Sequence, residues 1–207
     1  TRSTLKALQA LPFVDAGGPA TFRFTQAENA LLCASHNGEA MHVDAAVSML
    51  GKSGNTYTNA DMQRGTDLEP EARAAYEIHT GRMVSEVGLV LHPKNDRFGA
   101  SPDGVVGDDG LLEIKCPRTH VHISYMLAGK PPAEYLPQMA WQAACCERQW
   151  VDFASYDPTM PDRMRLFVVR YTPPREYIAE LEAEAKVFLA EMMGKIKALE
   201  DVCVQQE

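Results

Sequence analysis

Three residues of this chain are spaced to do chemistry together: Asp103, Glu113 ten positions later, and Lys115 one residue beyond that. They lie in the stretch 101–117, SPDGVVGDDGLLEIKCP, where a Gly-rich turn at 107–110 separates two apolar runs. The pattern predicts a β-hairpin, with Val105 and Val106 in one strand, Asp108, Asp109 and Gly110 in the turn, and residues 111–115 in the next strand. Strand side chains alternate, so Glu113 and Lys115 share one face while Leu112, Ile114 and Cys116 occupy the other. The hairpin returns Asp103 to the side of Glu113. Two carboxylates converging beside a lysine suit a hard, oxygen-liganded Mg²⁺ or Mn²⁺. The lysine would then hold a water, or the phosphate that the water attacks.

The elements that must position this hairpin are legible as periodicities. Residues 68–80 have helical spacing through Leu68, Ala72, Ala75, Tyr76 and His79, with Asp67 as the expected cap and Gly81 as the expected stop. Residues 83–91 read as a strand meeting a turn at 92–98, and helices are expected near 119–127 and 133–147. Pro137 marks a helix start or kink in the second of these. Further strands are expected at 151–155 and 164–171. A last helix after Pro173 and Pro174 carries the apolar stripe Ile178, Leu181, Ala185, Phe188, Met192, Ile196 and Leu199. Upstream, 3–10 and 26–36 look helical, 44–50 is apolar, and the polar stretch 51–59 reads as a mobile surface loop. This order fits an α/β fold, a mixed and mostly antiparallel sheet flanked by helices.

Composition bounds the function. The 207 residues suit one domain, 1–60 forming a helical N-terminal part and 61–207 a core with a C-terminal helix. No apolar run approaches the roughly 18 residues of a membrane span, and no secretory leader pattern is present, so the expected location is the cytoplasm. The first residue is Thr, so the N-terminus is expected to be processed or missing. Five cysteines (Cys33, Cys116, Cys145, Cys146, Cys203) without C-x-x-C spacing read as reduced thiols and argue against an iron–sulfur cluster of four thiolates. The net charge of −8 argues against a uniformly basic DNA-binding surface. It is compatible with an acidic exterior around a locally basic channel near Lys115, Arg118 and Lys130, or Arg163, Arg165 and Arg170, and equally with a solvated surface indifferent to DNA. His120 and His122 point apart at their spacing on a helix and read as polar residues near DNA or solvent, and Trp141 and Trp150 read as core anchors.

An aspartate followed by (E/D)-x-K on the next strand is the pattern of the PD-(D/E)XK nucleases. The longer series is more specific: Arg64-Gly65, then Glu69-Pro70-Glu71-Ala72-Arg73, SPDG, LEIKCP, and Tyr135-Leu136-Pro137-Gln138. In that order, from about Asn59 to the C-terminal helix, the chain resembles the λ exonuclease and YqaJ-type viral recombinase family of these nucleases. The resemblance implies a PD-(D/E)XK, restriction-endonuclease-like core. It also implies Mg²⁺-dependent, processive 5′→3′ digestion of one strand of linear duplex DNA, which leaves a 3′ single-stranded tail for strand annealing. A ring-shaped homotrimer, a single-strand annealing partner, and a phage or prophage origin in a bacterial host come with it.

Site residues follow position by position. Asp103 would bridge metal ions, Glu113 and the backbone carbonyl of Ile114 would complete the first, and Lys115 would position or deprotonate the attacking water. The family places an acid at Glu69, near the metal waters; here it is expected in the first turn of its helix. Gln138 stands where a glutamine approaches the lysine and the substrate. Met62 aligns with an apolar wedge between terminal bases, and Arg118 would face the DNA. Thr1-Arg2-Ser3 matches the end of the family's phosphate-gripping stretch, which makes Ser3 the DNA-binding candidate there and puts the gripping arginine upstream of residue 1. Two other readings remain: a restriction- or repair-type endonuclease with the same motif, and a non-catalytic assembly module. Intact converging carboxylates argue against the module.

Overall fold

The computed structural model describes residues 60–204. The expected elements at 3–10, 26–36, 44–50 and 51–59, and Ser3 with them, lie outside the described residues.

Helix α1 (Ala60–Thr80) leads into strands β1 (Val84–Ser85), β2 (Val90–His92), β3 (Asn95–Ala100), β4 (Gly104–Val106) and β5 (Gly110–Lys115). Helix α2 (Thr119–Ala128) and helix α3 (Leu136–Cys145) follow, then β6 (Trp150–Tyr156), β7 (Leu166–Tyr171) and the long helix α4 (Arg175–Val204). The main sheet has the order β1-β4-β5-β6-β7, in which only β5 and β6 run parallel. Every residue of β5 and β6 is buried, as expected for central strands covered on both faces.

Alternation along β5 sends its side chains into two different layers. Leu112 and Ile114 pack with Ala72 and Tyr76 of α1, alongside Ala154 and Tyr156 of β6. Leu111 packs with Met139 and Ala143 of α3, and with Val151 and Phe153 of β6. Trp141 turns the far side of α3 toward Phe98, Ala100, Leu181 and Ala185, so α4 and the β2–β3 ribbon close the molecule there. Trp141 and Trp150 are both core residues.

Four expectations are corrected. Helix α1 already runs from Ala60, two turns before Leu68, and Asp67 accepts a hydrogen bond from Gln63 Nε2 (2.8 Å) inside the helix instead of capping it. Long-range contacts hold the earlier turns: Arg64 donates to Asp157 Oδ1 (3.1 Å) and to the Pro117 carbonyl (3.4 Å). Asp157 also accepts from the Thr119 and Thr159 hydroxyls (2.6 and 2.8 Å). Burial would raise this carboxyl, but those hydrogen bonds and the Arg64 charge bring it down to about 2. Gly81 does end the helix, at φ 69° with its N–H on the Glu77 carbonyl (2.8 Å).

The single strand expected at 83–91 is two. Val84–Ser85 joins the main sheet, and Val90–His92 pairs with Asn95–Ala100 in a separate ribbon, so most of the expected turn at 92–98 is strand. His122 is the third correction. It is fully buried, with Nδ1 on Ser155 Oγ (2.7 Å) and Nε2 on the Met164 carbonyl (2.9 Å), and faces neither DNA nor solvent. The arginine grouping is also dispersed, since Arg170 grips Asp152 (2.8 and 2.9 Å) and stacks on Trp150, while Arg165 pairs with Asp162.

Gly110 opens the active strand with its Cα against the Trp150 ring, where a Cβ would overlap the six-membered ring. The backbone there is ordinary strand, so the constraint is space. Gly110→Ala is expected to cost about 1–3 kcal/mol through overpacking, read as a lower urea midpoint with an unchanged m-value.

Candidate active site

The β4–β5 register sets Gly104 opposite Leu112, which puts Asp103 across from Glu113 one position further along. Asp103 is held there by its own acceptor chemistry, Oδ2 receiving the Ile114 backbone N–H at 2.8 Å. Glu113 and Lys115 share the α3-facing side of β5 and form an ion pair through Glu113 Oε1, with Glu113 fully buried and Lys115 only 7% exposed. The Lys115 ammonium also sits 4.9 Å over the Tyr135 ring, a ring fixed by stacking on Phe153. From α3, Gln138 Nε2 donates to Glu113 Oε1 and Gln142 Nε2 to Glu113 Oε2, each at 2.7 Å. Pro137 stands in the first turn of α3, where its missing N–H costs nothing, so the helix starts there and aims both amides at the acid.

Glu69 approaches from the other helix. Because α1 already runs from Ala60, Glu69 lies in the helix interior, not in the first turn, and the dipole argument for it falls away. Arg73 holds it instead, one turn on: Arg73 Nη2 donates to Glu69 Oε1 (2.6 Å) and to the Asp103 carbonyl (3.3 Å), while Nη1 pairs with Glu86. A cavity of about 480 Å³ opens here, lined by Glu69, Arg73, Glu86, Ser101 and Asp103. A second, of about 430 Å³, opens past Lys115 and is lined by Arg118, His120, Tyr125 and Tyr135. One side of the site is therefore acidic around a single arginine, and the other presents lysine, histidine and an Arg118–Asp61 pair against tyrosine.

Charge in this cluster does not cancel. Burial, and then the Glu113 charge, push the Asp103 carboxyl well above its ordinary value, and Glu69 adds to the push. Glu69 is raised as well, by burial more than Arg73 lowers it. Burial alone would strip the proton from Lys115, but Glu113 and Asp103 outweigh it and its pKa rises. This direction favours the ammonium form of Lys115, a donor of hydrogen bonds.

Of the residues singled out in the sequence, Asp103, Glu113, Ile114, Lys115, Glu69 and Gln138 come together. Arg118 stands at the mouth of the lysine-side cavity, 65% exposed and paired with Asp61 (2.8 Å). Met62 lies on α1, two residues before Arg64. Three contributors were missed: Gln142, Tyr135 as a platform for Lys115, and Arg73 as the holder of Glu69. The spacing of Gln138 and Gln142, one helical turn apart, was the available signal for the first.

The donor set suits a hard divalent cation. Asp103, Glu113 and the Ile114 carbonyl are all oxygen donors, and the surplus of carboxylate charge favours a cation beside them. Among the described residues no three His, Cys, Asp or Glu side chains gather into a metal cage. Mg²⁺ characteristically takes one or two carboxylates and fills the rest of its shell with water and substrate phosphate, which is the arrangement this pair allows.

Residues 25–149 match the model of the YqaJ-like viral recombinase domain. No curated protein matches the chain. Among solved structures, an alkaline exonuclease (LHK-Exo) from Laribacter hongkongensis is 43% identical, over 91% of this chain and 92% of its own, with a TM-score of 0.76. LHK-Exo in complex with dAMP is 46% identical, over 84% of this chain and 88% of its own, with a TM-score of 0.75. A phage-related exonuclease from Haemophilus somnus, 14% identical over 88% and 89% of the two chains, shares the fold at a TM-score of 0.52. The mixed sheet flanked by helices is thus the PD-(D/E)XK exonuclease fold. With the match spanning more than half of its length, this chain belongs to the YqaJ-like viral recombinase family.

Proposed function

We propose that this chain is a Mg²⁺-dependent deoxyribonuclease that digests one strand of linear duplex DNA from its 5′ end and leaves a 3′ single-stranded tail. The observation that carries this reading is the buried Glu113–Lys115 pair set against Asp103. It is supported by the likeness, over most of the chain, to an alkaline exonuclease.

Asp103, Glu113 and the Ile114 carbonyl are the groups assigned to hold the cation, with Mn²⁺ able to replace Mg²⁺. When bound, that cation offsets phosphate charge and makes a water more acidic. Lys115, kept protonated, donates to the attacking water or to a non-bridging phosphate oxygen and stabilises charge as it builds. Gln138 holds the Glu113 carboxylate in place, and Glu69 accepts hydrogen bonds from water on the acidic side of the site. Attack of water on phosphorus breaks the P–O3′ bond; one proton of the water passes to solvent and O3′ takes one up from it, which leaves a 3′ hydroxyl on the released nucleotide and a 5′ phosphate on the shortened strand. The DNA strand enters on the lysine side, where Lys115, Arg118 and His120 line the cavity. Met62 is assigned the wedge between terminal bases, and Ser3 a contact to the 5′ phosphate.

A net charge of −8 per chain calls for a way to stay on DNA without broad phosphate binding. Enclosure of the strand by a homotrimeric ring supplies it, with acidic surfaces turned outward and the Lys115–Arg118 side inward. The tailed product then suits a single-strand annealing protein as partner in phage-type recombination within the bacterial cytoplasm.

Incubation with linear and covalently closed duplexes, with and without Mg²⁺, separates this reading from an endonuclease. Loss of the linear substrate alone, and only with Mg²⁺, is the expected result; loss of the closed circle would overturn it. Asp103→Ala and Glu113→Ala are expected to lower kcat by at least about a hundredfold in a chain that stays folded by circular dichroism. Lys115→Met should lose turnover while calorimetry still shows Mg²⁺ binding. Light scattering at assay concentration should give the mass of a trimer, and a monomer would remove the ring while leaving the chemistry intact.

A further inference from the structure

We infer that Gln142 is a positioning residue of this site: its side-chain amide fixes the rotation of the Glu113 carboxylate, so that one oxygen, Oε2, keeps a lone pair in place for a divalent cation. The inference rests on the nuclease reading above and adds to it a residue that the sequence motif does not contain.

A carboxylate has about four lone-pair sites, two on each oxygen. Lys115 and Gln138 both donate to Glu113 Oε1. Two donors on one oxygen locate that oxygen but leave the carboxylate plane able to turn about it. The single hydrogen bond to the other oxygen, from Gln142 Nε2 at 2.7 Å, removes that freedom. It occupies one site on Oε2 and leaves the other for a cation. A metal-ligating carboxylate that is itself hydrogen-bonded is a recurrent device, because affinity depends on how well the ligand is aimed.

The other end of the same amide supports a functional role. Gln142 is 1% exposed, and its Oε1 is buried without a hydrogen-bond partner among the described residues. Turning the amide over would set that oxygen against the Glu113 carboxylate, so the orientation is dictated by charge. A residue serving only to fill the α3–β5 interface would be better replaced by methionine, which has the same reach and no orphaned oxygen. Among the described residues, the hydrogen bonding of the Gln142 side chain is directed at Glu113. Gln138, one turn earlier, shares the task but acts on the oxygen that Lys115 already holds.

Gln142→Met tests this, with Mg²⁺ binding to the metal-free protein measured by calorimetry beside steady-state digestion of linear duplex. The expected result is a variant that still unfolds cooperatively, with a thermal midpoint lowered by about 3–10 °C, because buried Glu113 Oε2 loses the Gln142 hydrogen bond. Mg²⁺ affinity should weaken by about tenfold or more, and kcat should fall similarly while KM for DNA ends changes by less than about twofold. Unchanged Mg²⁺ affinity, or a KM effect without a kcat effect, would overturn the inference. Should Gln142→Met not fold, Gln142→Asn, whose amide stops one methylene short of Glu113, allows the same comparison. Weakened Mg²⁺ binding in the variant of a wild type that leaves DNA intact would uphold this inference and sink the nuclease reading. A wild type that digests DNA, with a variant that binds Mg²⁺ equally well, would do the reverse.

Discussion

The burial of the Glu113 carboxylate, with no exposed surface, is the constraint on which the rest of the site depends. Taking such a charge out of water costs several kcal/mol unless partners replace the lost hydration. One partner comes from strand geometry alone, since Lys115 two residues later must lie on the same face. The others require the fold. Helix α3 has to start at Leu136 and run under β5 for Gln138 and Gln142 to reach both carboxylate oxygens. Neutral amides stabilise the charge without cancelling it, and Lys115 is the one cation in direct contact with it among the described partners. With Asp103 and Glu69 close by, three carboxyls stand beside two cations, Lys115 and Arg73, an imbalance that a lone structural ion pair would not have.

The two faces of β5 divide the work. Leu112 and Ile114 anchor the strand to α1 through Ala72 and Tyr76, which fixes the level at which Glu69 and Arg73 meet Asp103. Leu111 anchors the opposite face to Met139 and Ala143 of α3, which fixes the level of the glutamines. Ile114 joins both roles, with its side chain in the α1 layer and its N–H on Asp103 Oδ2. The two cavities open on either side of this strand, one rich in acid and one rich in base, so the electrostatic asymmetry of the site follows from the pleat.

Much of this was legible in the sequence where the signal is local. The alternation 111–115, the turn glycine Gly107 at φ 60°, the stop at Gly81 and the helix start at Pro137 each express a short-range rule, and each holds. The misreadings share a physical cause in contacts between distant residues. The earlier turns of α1 contain Gly65, a poor helix former, and are held by Arg64 reaching Asp157, 93 residues away. His122 looked polar and exposed because its partners, Ser155 and Met164, are 33 and 42 residues distant. Gln142 was overlooked for a different reason. A glutamine four residues after another on a helix is ordinary, and only the position of Glu113 opposite both gives the pair a meaning.

The central claim is that Asp103, Glu113 and the Ile114 carbonyl form one oxygen-donor site for a divalent cation, aimed by the amides of α3. Anomalous scattering from crystals of the protein grown with Mn²⁺ tests it most directly. The account predicts a Mn²⁺ peak about 2.1–2.2 Å from oxygens of both carboxylates and from the Ile114 carbonyl, with the Gln142 bond to Glu113 intact. A peak confined to the Glu69–Glu86 side of the acidic cavity, or ordered Mn²⁺ that leaves Glu113 untouched, would contradict it.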